Sequence, residues 1–387
     1  MSFKNIMKTI PVFFLILALL NSCNSKKIIT AMNEPDSILI RLIEKNKTPS
    51  LQYIIFDKDS IIHRFHSGFA DIKSRKKADE STTYHAYSVT KTFTALAILQ
   101  LAEKGDLDVN LSVKKYYPDF PYSSDITIRQ LLTHTAGIPN PLPLSWIHLT
   151  SEHQSFDSKS FFKNIFIRNN KVKSEPNEKF RYSNLGYVLL GQLIEEVTGM
   201  TYEKYIQDHI LKIVHDQFHE LGFTIDNPKQ HAKGYHKQMS ISNWILGLMI
   251  NKRKYMDNAE GKWKPFKDFY INGAAYGGLI GTPDAFMKYI RELLKSDCRL
   301  ISEDYKKMIF TENHTKDNEA TGMCLSWFKG QMNSNLYFAH AGGGGGYYCE
   351  LRIYPDPGIG SLIMFNRTGM RNERFLDRVD KFFLGPR

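Results

Sequence analysis

Strand-like patterns lie at the two ends of the chain and helix-like patterns between them. Glu34 to Lys47 carries apolar residues at Ile38, Ile40, Leu42 and Ile43, a spacing that predicts an amphipathic helix. Leu51 to Phe56 and Ile61 to Phe69 read as strands, joined by Asp57-Lys58-Asp59-Ser60 into a hairpin. From about 90 to 300, helical patches split by Pro and Gly predominate. Three more strand candidates follow: Asn335–His340, Tyr347–Tyr354 and Gly358–Phe365, the last two joined across Pro355-Asp356-Pro357. Asn372–Phe383 reads as a closing helix. This order predicts an α+β domain over 34–387. Its antiparallel sheet is built from both termini and flanked by helices. The α/β part covers about 34–105 and 270–387, and a mostly helical region, about 106–269, is inserted.

The first residues follow a different logic. Lys4 and Lys8 precede an apolar run, Ile10–Leu20, of 11 residues. A bilayer span needs about 20, so residues 1–22 read as a signal peptide. Leu20-Asn21-Ser22-Cys23 resembles a bacterial lipobox, which implies that Cys23 is lipidated and heads a polar, basic tether, 23–33. The competing reading is an ordinary secretory signal with a stray cysteine, but no Ala-x-Ala site precedes it. The expected location is the cell envelope, with the membrane as a partner through the anchor. Cleavage lowers the formal charge from +11 to +9.

With 42% hydrophobic and 24% charged residues, the chain is neither a polytopic membrane protein nor mainly disordered. Four cysteines are too sparse for a disulfide scaffold. Past the signal segment and Cys23, the odd number Cys298, Cys324 and Cys349 leaves at least one thiol free, and Cys324 and Cys349, in strand-like apolar segments, read as buried free thiols. The positive balance suits an anionic surface or polymer, or is simply a basic exterior. Without a continuous basic stripe, nucleic acid is not an expected partner.

Ser-x-x-Lys occurs five times, at Ser74, Ser88, Ser112, Ser160 and Ser326, so context must choose. Ser74 sits in a charged loop and Ser112 runs into lysines. Ser160 opens an amphipathic helix whose Lys163 faces water, and Ser326 lies in a strand-like run. Ser88 alone heads a helix that is apolar almost all round, with Lys91 one turn on and on the same face. Burial lowers a lysine pKa, and a neutral amine can take the hydroxyl proton of Ser88. The helix N-terminus favours a developing oxyanion. An N-capping serine with a snorkelling lysine is the plain alternative.

Two further groups join this one. In Tyr182-Ser183-Asn184, an extended backbone turns Tyr182 and Asn184 to one side. A phenol beside a lysine can shuttle a proton, and an amide can orient the lysine or grip a substrate carbonyl. The alternative is an aromatic that packs and an asparagine that caps. His340-Ala341-Gly342 ends a strand and runs into Gly343–Gly346. The strand-like segment after the glycines rules out a dinucleotide or phosphate loop. Glycine beside an edge strand instead allows close backbone approach by a ligand.

Ser-x-x-Lys, Tyr-x-Asn and His-x-Gly in this order resemble the serine hydrolase family of class C β-lactamases, D-Ala-D-Ala carboxypeptidases and related esterases and D-aminopeptidases. Leu131-Leu-Thr-His-Thr-Ala-Gly-Ile-Pro139, Ala274-Ala-Tyr-Gly-Gly-Leu-Ile-Gly-Thr-Pro283 and Phe365-Asn366-Arg367 extend the likeness, which runs from about 50 to 370. The resemblance implies a β-lactamase/transpeptidase-like fold. It makes Ser88 the nucleophile, with Lys91 and Tyr182 sharing the proton transfers and Asn184 helping to bind substrate. His340 then lines the pocket opposite the serine, Gly342 belongs to the third motif, and Ser88 and Gly343 supply oxyanion-hole N–H groups. No cofactor or metal is implied, and the substrate is a small molecule or peptidoglycan-like. The expectation is an ester or D-amino-acid amide, with a β-lactamase or a catalytically weak peptidoglycan-binding sensor as alternatives.

Two departures from the family pattern shape this expectation. His340 stands where the β-lactamases carry lysine, and a neutral histidine holds a substrate carboxylate less well. Ile210–Gly222 lacks the usual Pro-Leu-Gly-Met turn and has His215 and His219 instead, four apart. They read as exposed helix-end residues rather than metal ligands, since no zinc-protease Glu lies between them. His134 is expected to be structural. Trp244–Ile250 followed by Asn251-Lys-Arg-Lys254 reads as ordinary helix packing, a pocket lid or a membrane-facing patch.

Overall fold

The computed structural model describes residues 33–215, 220–368 and 374–385. The signal segment, Cys23, most of the tether, His219 and the start of the expected closing helix lie outside the described residues.

The main sheet has seven strands: β1 (Ser50–Asp57), β2 (Ile61–Asp71), β3 (Lys76–Lys77), β4 (Phe328–Met332), β5 (Asn335–Gly344), β6 (Tyr347–Tyr354) and β7 (Ile359–Phe365). Their order is β4-β5-β6-β7-β1-β2-β3, every neighbour antiparallel. The N-terminal strand thus closes on the C-terminal one, Leu51 opposite Phe365 and Asp57 opposite Ile359. Both faces of the sheet are covered, so β1 is buried along almost its whole length. Ile54 and Phe56 point into the main core, whereas Leu51, Tyr53 and Ile55 point into a second cluster on the outer face.

On the inner face lie α2 (Thr90–Glu103) and α5 (Pro283–Leu294), and α3 (Asn184–Thr198) packs against α2. α1 (Glu34–Glu44) covers the outer face, and α4 (Ile241–Met249) follows α3 along the chain. α2 is buried from Thr90 through Ala102, as its all-round apolar sequence requires. α3 is capped at both ends. Ser183 Oγ accepts from Gly186 N at 3.1 Å, and Gly199 ends the helix in the left-handed region at φ 67°.

Four expectations need correction. The segment Asn372–Phe383 forms no α-helix among the described residues. It makes two tight turns, Phe375–Arg378 and Asp380–Phe382. Their acids are drawn onto the sheet instead. Asp380 accepts from Tyr53, Tyr354 and Ser361 at 2.6–2.9 Å, and Arg352 Nη1 donates to Asp377 at 2.6 Å. Second, the strand expected over Asn335–His340 runs further: β5 continues through Gly344, and only Gly345 and Gly346, at φ 45° and 92°, form the hairpin turn. Third, Ser326 is not in a strand but in a buried bend at φ 70°. Fourth, His215 is buried, not exposed, and the helical turn Lys212–Val214 stops before it, so it has left helical spacing. Cys324 and Cys349 are buried free thiols and Cys298 is half-buried.

Candidate active site

Ser88 lies in the short turn Tyr87–Val89 that feeds α2, and its side chain makes no capping hydrogen bond. Its Oγ lies 3.1 Å from Lys91 Nζ instead. Lys91 does not snorkel, being 0% exposed. The capping alternative therefore fails on both residues.

Lys91 Nζ donates to Asn184 Oδ1 at 2.9 Å and to the Tyr276 carbonyl at 2.8 Å. Burial alone drives its pKa well below the ordinary lysine value, with no carboxylate opposing the shift. A neutral amine has two N–H groups and one lone pair. The two fixed acceptors use both N–H groups, so the lone pair is left for the Ser88 hydroxyl. The rings of Tyr182, Tyr187 and Tyr276 lie 5.1–5.4 Å from Nζ and favour the ammonium. That attraction amounts to only about 0.5–2 kcal/mol per ring, which the burial of an uncompensated charge outweighs.

Tyr182 and Asn184 both face Lys91, as the extended backbone before α3 requires. Tyr182 is held from both sides by one residue. Arg181 N donates to the His134 carbonyl at 2.7 Å, and Ser183 N donates to His134 Nδ1 at 3.1 Å. The His134 ring packs 4.2 Å from the Tyr182 ring, centroid to centroid. Accepting at Nδ1 puts the His134 proton on Nε2. Burial, then Lys91 and His340, hold its pKa well below the ordinary value. His134 thus braces Tyr182 through its carbonyl, its Nδ1 and its ring face. Asn140 Oδ1 accepts from Asn184 N at 3.0 Å and fixes the next residue.

β5 lies directly against the serine turn. A Cβ on Gly342 would lie 2.4 Å from the Ala86 carbonyl oxygen and 2.5 Å from Ser88 N. Only glycine permits this approach. Gly343 is exposed at the open end of the strand. His340, two residues before Gly342 and on the same side of the strand, is only 1% exposed, so it lies beneath the pocket rather than on its wall. Its Nδ1–H donates to the Ser326 carbonyl at 2.5 Å. Burial, helped by Lys91, lowers its pKa to about 3, so it is neutral at every physiological pH. Beside Tyr182, a cleft of about 580 Å³ is lined by Ile138, Pro139, Asn140, Lys173 and Arg181 among others.

Sequence reasoning missed the Tyr276 carbonyl, Asn140 and the tie from His340 to Ser326. Tyr276 lies in the Gly-Gly segment already singled out, but a backbone acceptor leaves no mark in a side-chain pattern. None of the other Ser-x-x-Lys pairs faces Ser88 as Lys91 does, and Ser326 enters the site through its carbonyl, not its hydroxyl. Ser74 and Lys163 are exposed, and Ser112 caps the turn Val113–Lys115.

Residues 35–383 match the family model described as Beta-lactamase. The chain belongs to this family. Protein flp of Staphylococcus aureus (strain MW2) is 32% identical over 292 residues, 72% of this chain and 55% of that protein. The chain therefore spans about half the length of such curated relatives. An octameric penicillin-binding protein homologue from Pyrococcus abyssi superposes with a TM-score of 0.71 at 23% identity, covering 87% of this chain and 74% of its own. D-amino acid amidase from Ochrobactrum anthropi SV3 gives 0.71 at 18% identity, covering 89% and 96%. At these identities the two structures establish the β-lactamase/transpeptidase-like fold, with its antiparallel sheet and flanking helices.

Proposed function

We propose that the chain is an exported, lipid-anchored serine hydrolase. It forms an acyl-enzyme on Ser88 from an ester or amide that has no carboxylate beside the scissile carbonyl. The reading rests above all on the lone pair of a buried, neutral Lys91 facing the Ser88 hydroxyl at 3.1 Å. As the Ser88 Oγ–carbonyl bond forms, the hydroxyl proton passes to Lys91. Tyr182, facing the same amine, relays it to the leaving group as the scissile bond breaks. Water then repeats the sequence and releases the acid. The backbone N–H groups of Ser88 and Gly343 hold the oxyanion, and Gly342 keeps strand and turn in contact.

Neutral His340 favours ester or amide over β-lactam, because no fixed cation stands beside the reacting carbonyl. Positive charge lies instead in the cleft, at Lys173 and Arg181. That placement suits a peptidoglycan-derived D-amino-acid substrate with an anionic far end. Anchoring is carried by the lipobox-like Leu20–Cys23, and Cys23→Ser should move the protein from the membrane to the soluble fraction.

The test is kcat/KM for a short ester, a D-amino-acid amide and a penicillin, on wild type and Ser88→Ala. The reading expects ester or amide to exceed penicillin and Ser88→Ala to be inactive on all three. Residual turnover by folded Ser88→Ala would place the nucleophile elsewhere, and efficient penicillin hydrolysis would make the protein a β-lactamase.

A further inference from the structure

α4 has two apolar faces, and among the described residues only one has a partner. Leu246 and Ile250 are buried in the main core. On the opposite side Trp244 is 67%, Ile245 44% and Leu248 70% exposed, and Met239 just before the helix is 95% exposed. Trp244 and Leu248 are one turn apart and form a single stripe. The sequence expectation of ordinary packing therefore holds for one face only. The stripe also extends along the chain. α4 packs on the turn Pro143–Ser145. Leu142, next to that turn, is 65% exposed, and its neighbour Pro141 lines the cleft beside Tyr182.

Cations surround this helix. Arg253 and Lys262 are exposed, and Lys252 and Lys264 are half-buried. Lys237, which leads into α4, has its pKa lowered by burial and then by Arg367, Lys47 and Lys262. Lys252 is lowered by burial and then by Lys264, so these groups share one positive field. Of the nearby acids, Glu152 is tied to Lys254 at 2.6 Å and Glu260 to Lys233 at 3.8 Å and to the Tyr235 hydroxyl at 2.9 Å, which leaves exposed Asp257 against the exposed Arg253 and Lys262 and the half-buried Lys252 and Lys264. A large exposed aromatic with aliphatic neighbours beside an excess of cations matches one occupant. A bilayer surface rich in anionic lipid offers negative headgroups to the cations and acyl-chain boundary to Trp244 and Leu248.

We propose that this face of α4, from Met239 to Leu248 and on to Leu142, docks on an anionic lipid surface and turns the cleft mouth toward the bilayer. Docking is independent of the anchor at Cys23 and of hydrolysis.

The molecule carries its own reporter. Of its four tryptophans, Trp146, Trp263 and Trp327 are at most 4% exposed, so Trp244 alone can report entry into lipid. The exported full chain carrying Cys23→Ser, which removes the acyl contribution, is titrated with phosphatidylglycerol/phosphatidylcholine vesicles and with phosphatidylcholine alone. Co-sedimentation and a blue shift of Trp244 emission are expected with the mixed vesicles only, and equally in Ser88→Ala. Leu248→Ser should weaken partitioning on the order of tenfold, and Arg253→Glu with Lys262→Glu should remove its dependence on anionic lipid. Ester hydrolysis without vesicles should be unchanged in these variants. Absence of binding to mixed vesicles would overturn the proposal, as would Leu248→Ser binding at wild-type strength. So would a dimer in vesicle-free solution that already shields Trp244.

Discussion

Gly342→Ala tests the contact between strand and nucleophile. The added Cβ would lie 2.4 Å from the Ala86 oxygen and 2.5 Å from Ser88 N, where ordinary contact begins at 3.4 Å. Strand and turn must therefore separate by about 1 Å. Both opposing atoms are backbone, so no rotamer change relieves the clash. β5 is held by its ladder to β6, and Ala86, at the start of the turn, by its own hydrogen bond to the Leu279 carbonyl at 2.9 Å. Overpacking of this kind costs about 1–3 kcal/mol of stability. A 1 Å displacement of a reacting group costs ~10²-fold in rate. The assay is the rate of covalent labelling by a fluorophosphonate, with a thermal melt of the same sample. Gly222→Ala is the control, since a Cβ there meets nothing within 4 Å. Labelling of Gly342→Ala at the wild-type rate, with an unchanged melt, would show that β5 does not set the position of Ser88.

Three further outcomes follow from the protonation and hydrogen-bond assignments. Because burial lowers the Lys91 pKa, its base form persists at neutral pH, so kcat/KM should rise with pH and level off well below 10.5, and Lys91→Met should abolish turnover at every pH. His134→Ala leaves Ser183 N without its acceptor, at about 1–3 kcal/mol of stability, and should lower kcat; His134→Asn offers an acceptor, tolerates the φ of 57° and should restore kcat. His340 and His134 stay neutral when folded but take up protons when unfolded. Stability should therefore fall as pH drops below about 6.5, for His340 by about 1.4 kcal/mol per pH unit down to about 3, and His340→Gln should flatten the slope in denaturant melts across that range.

What was legible in the chain was what side-chain periodicity records. Leu51–Phe56, Tyr347–Tyr354 and Gly358–Phe365 are buried on both faces, Ile61–Phe69 is half-buried along most of its length, and all four appear within one or two residues of their expected ends. Ser88 with Lys91 stood out because a lysine in an otherwise apolar helix needs a reason. The strand expected to end at His340 runs on through Gly344, because alternation cannot be seen without side chains. Phe375, Leu376 and Val379 have helical spacing, yet the pull of the sheet on Asp377 and Asp380 decided their backbone. Tyr276 acts through a carbonyl and His134 through a tertiary contact to Ser183, and no local pattern marks either. The outer stripe of α4 looked like core because periodicity reports apolarity, not whether anything covers it.

The central claim is covalent chemistry at Ser88, and intact-mass spectrometry of the protein quenched during turnover of a slow ester tests it most directly. The account predicts one added acyl group, mapped by proteolysis to the peptide carrying Ser88, absent from folded Ser88→Ala and from Lys91→Met. Turnover without any acyl adduct, or an adduct on another residue that persists in Ser88→Ala, would contradict it.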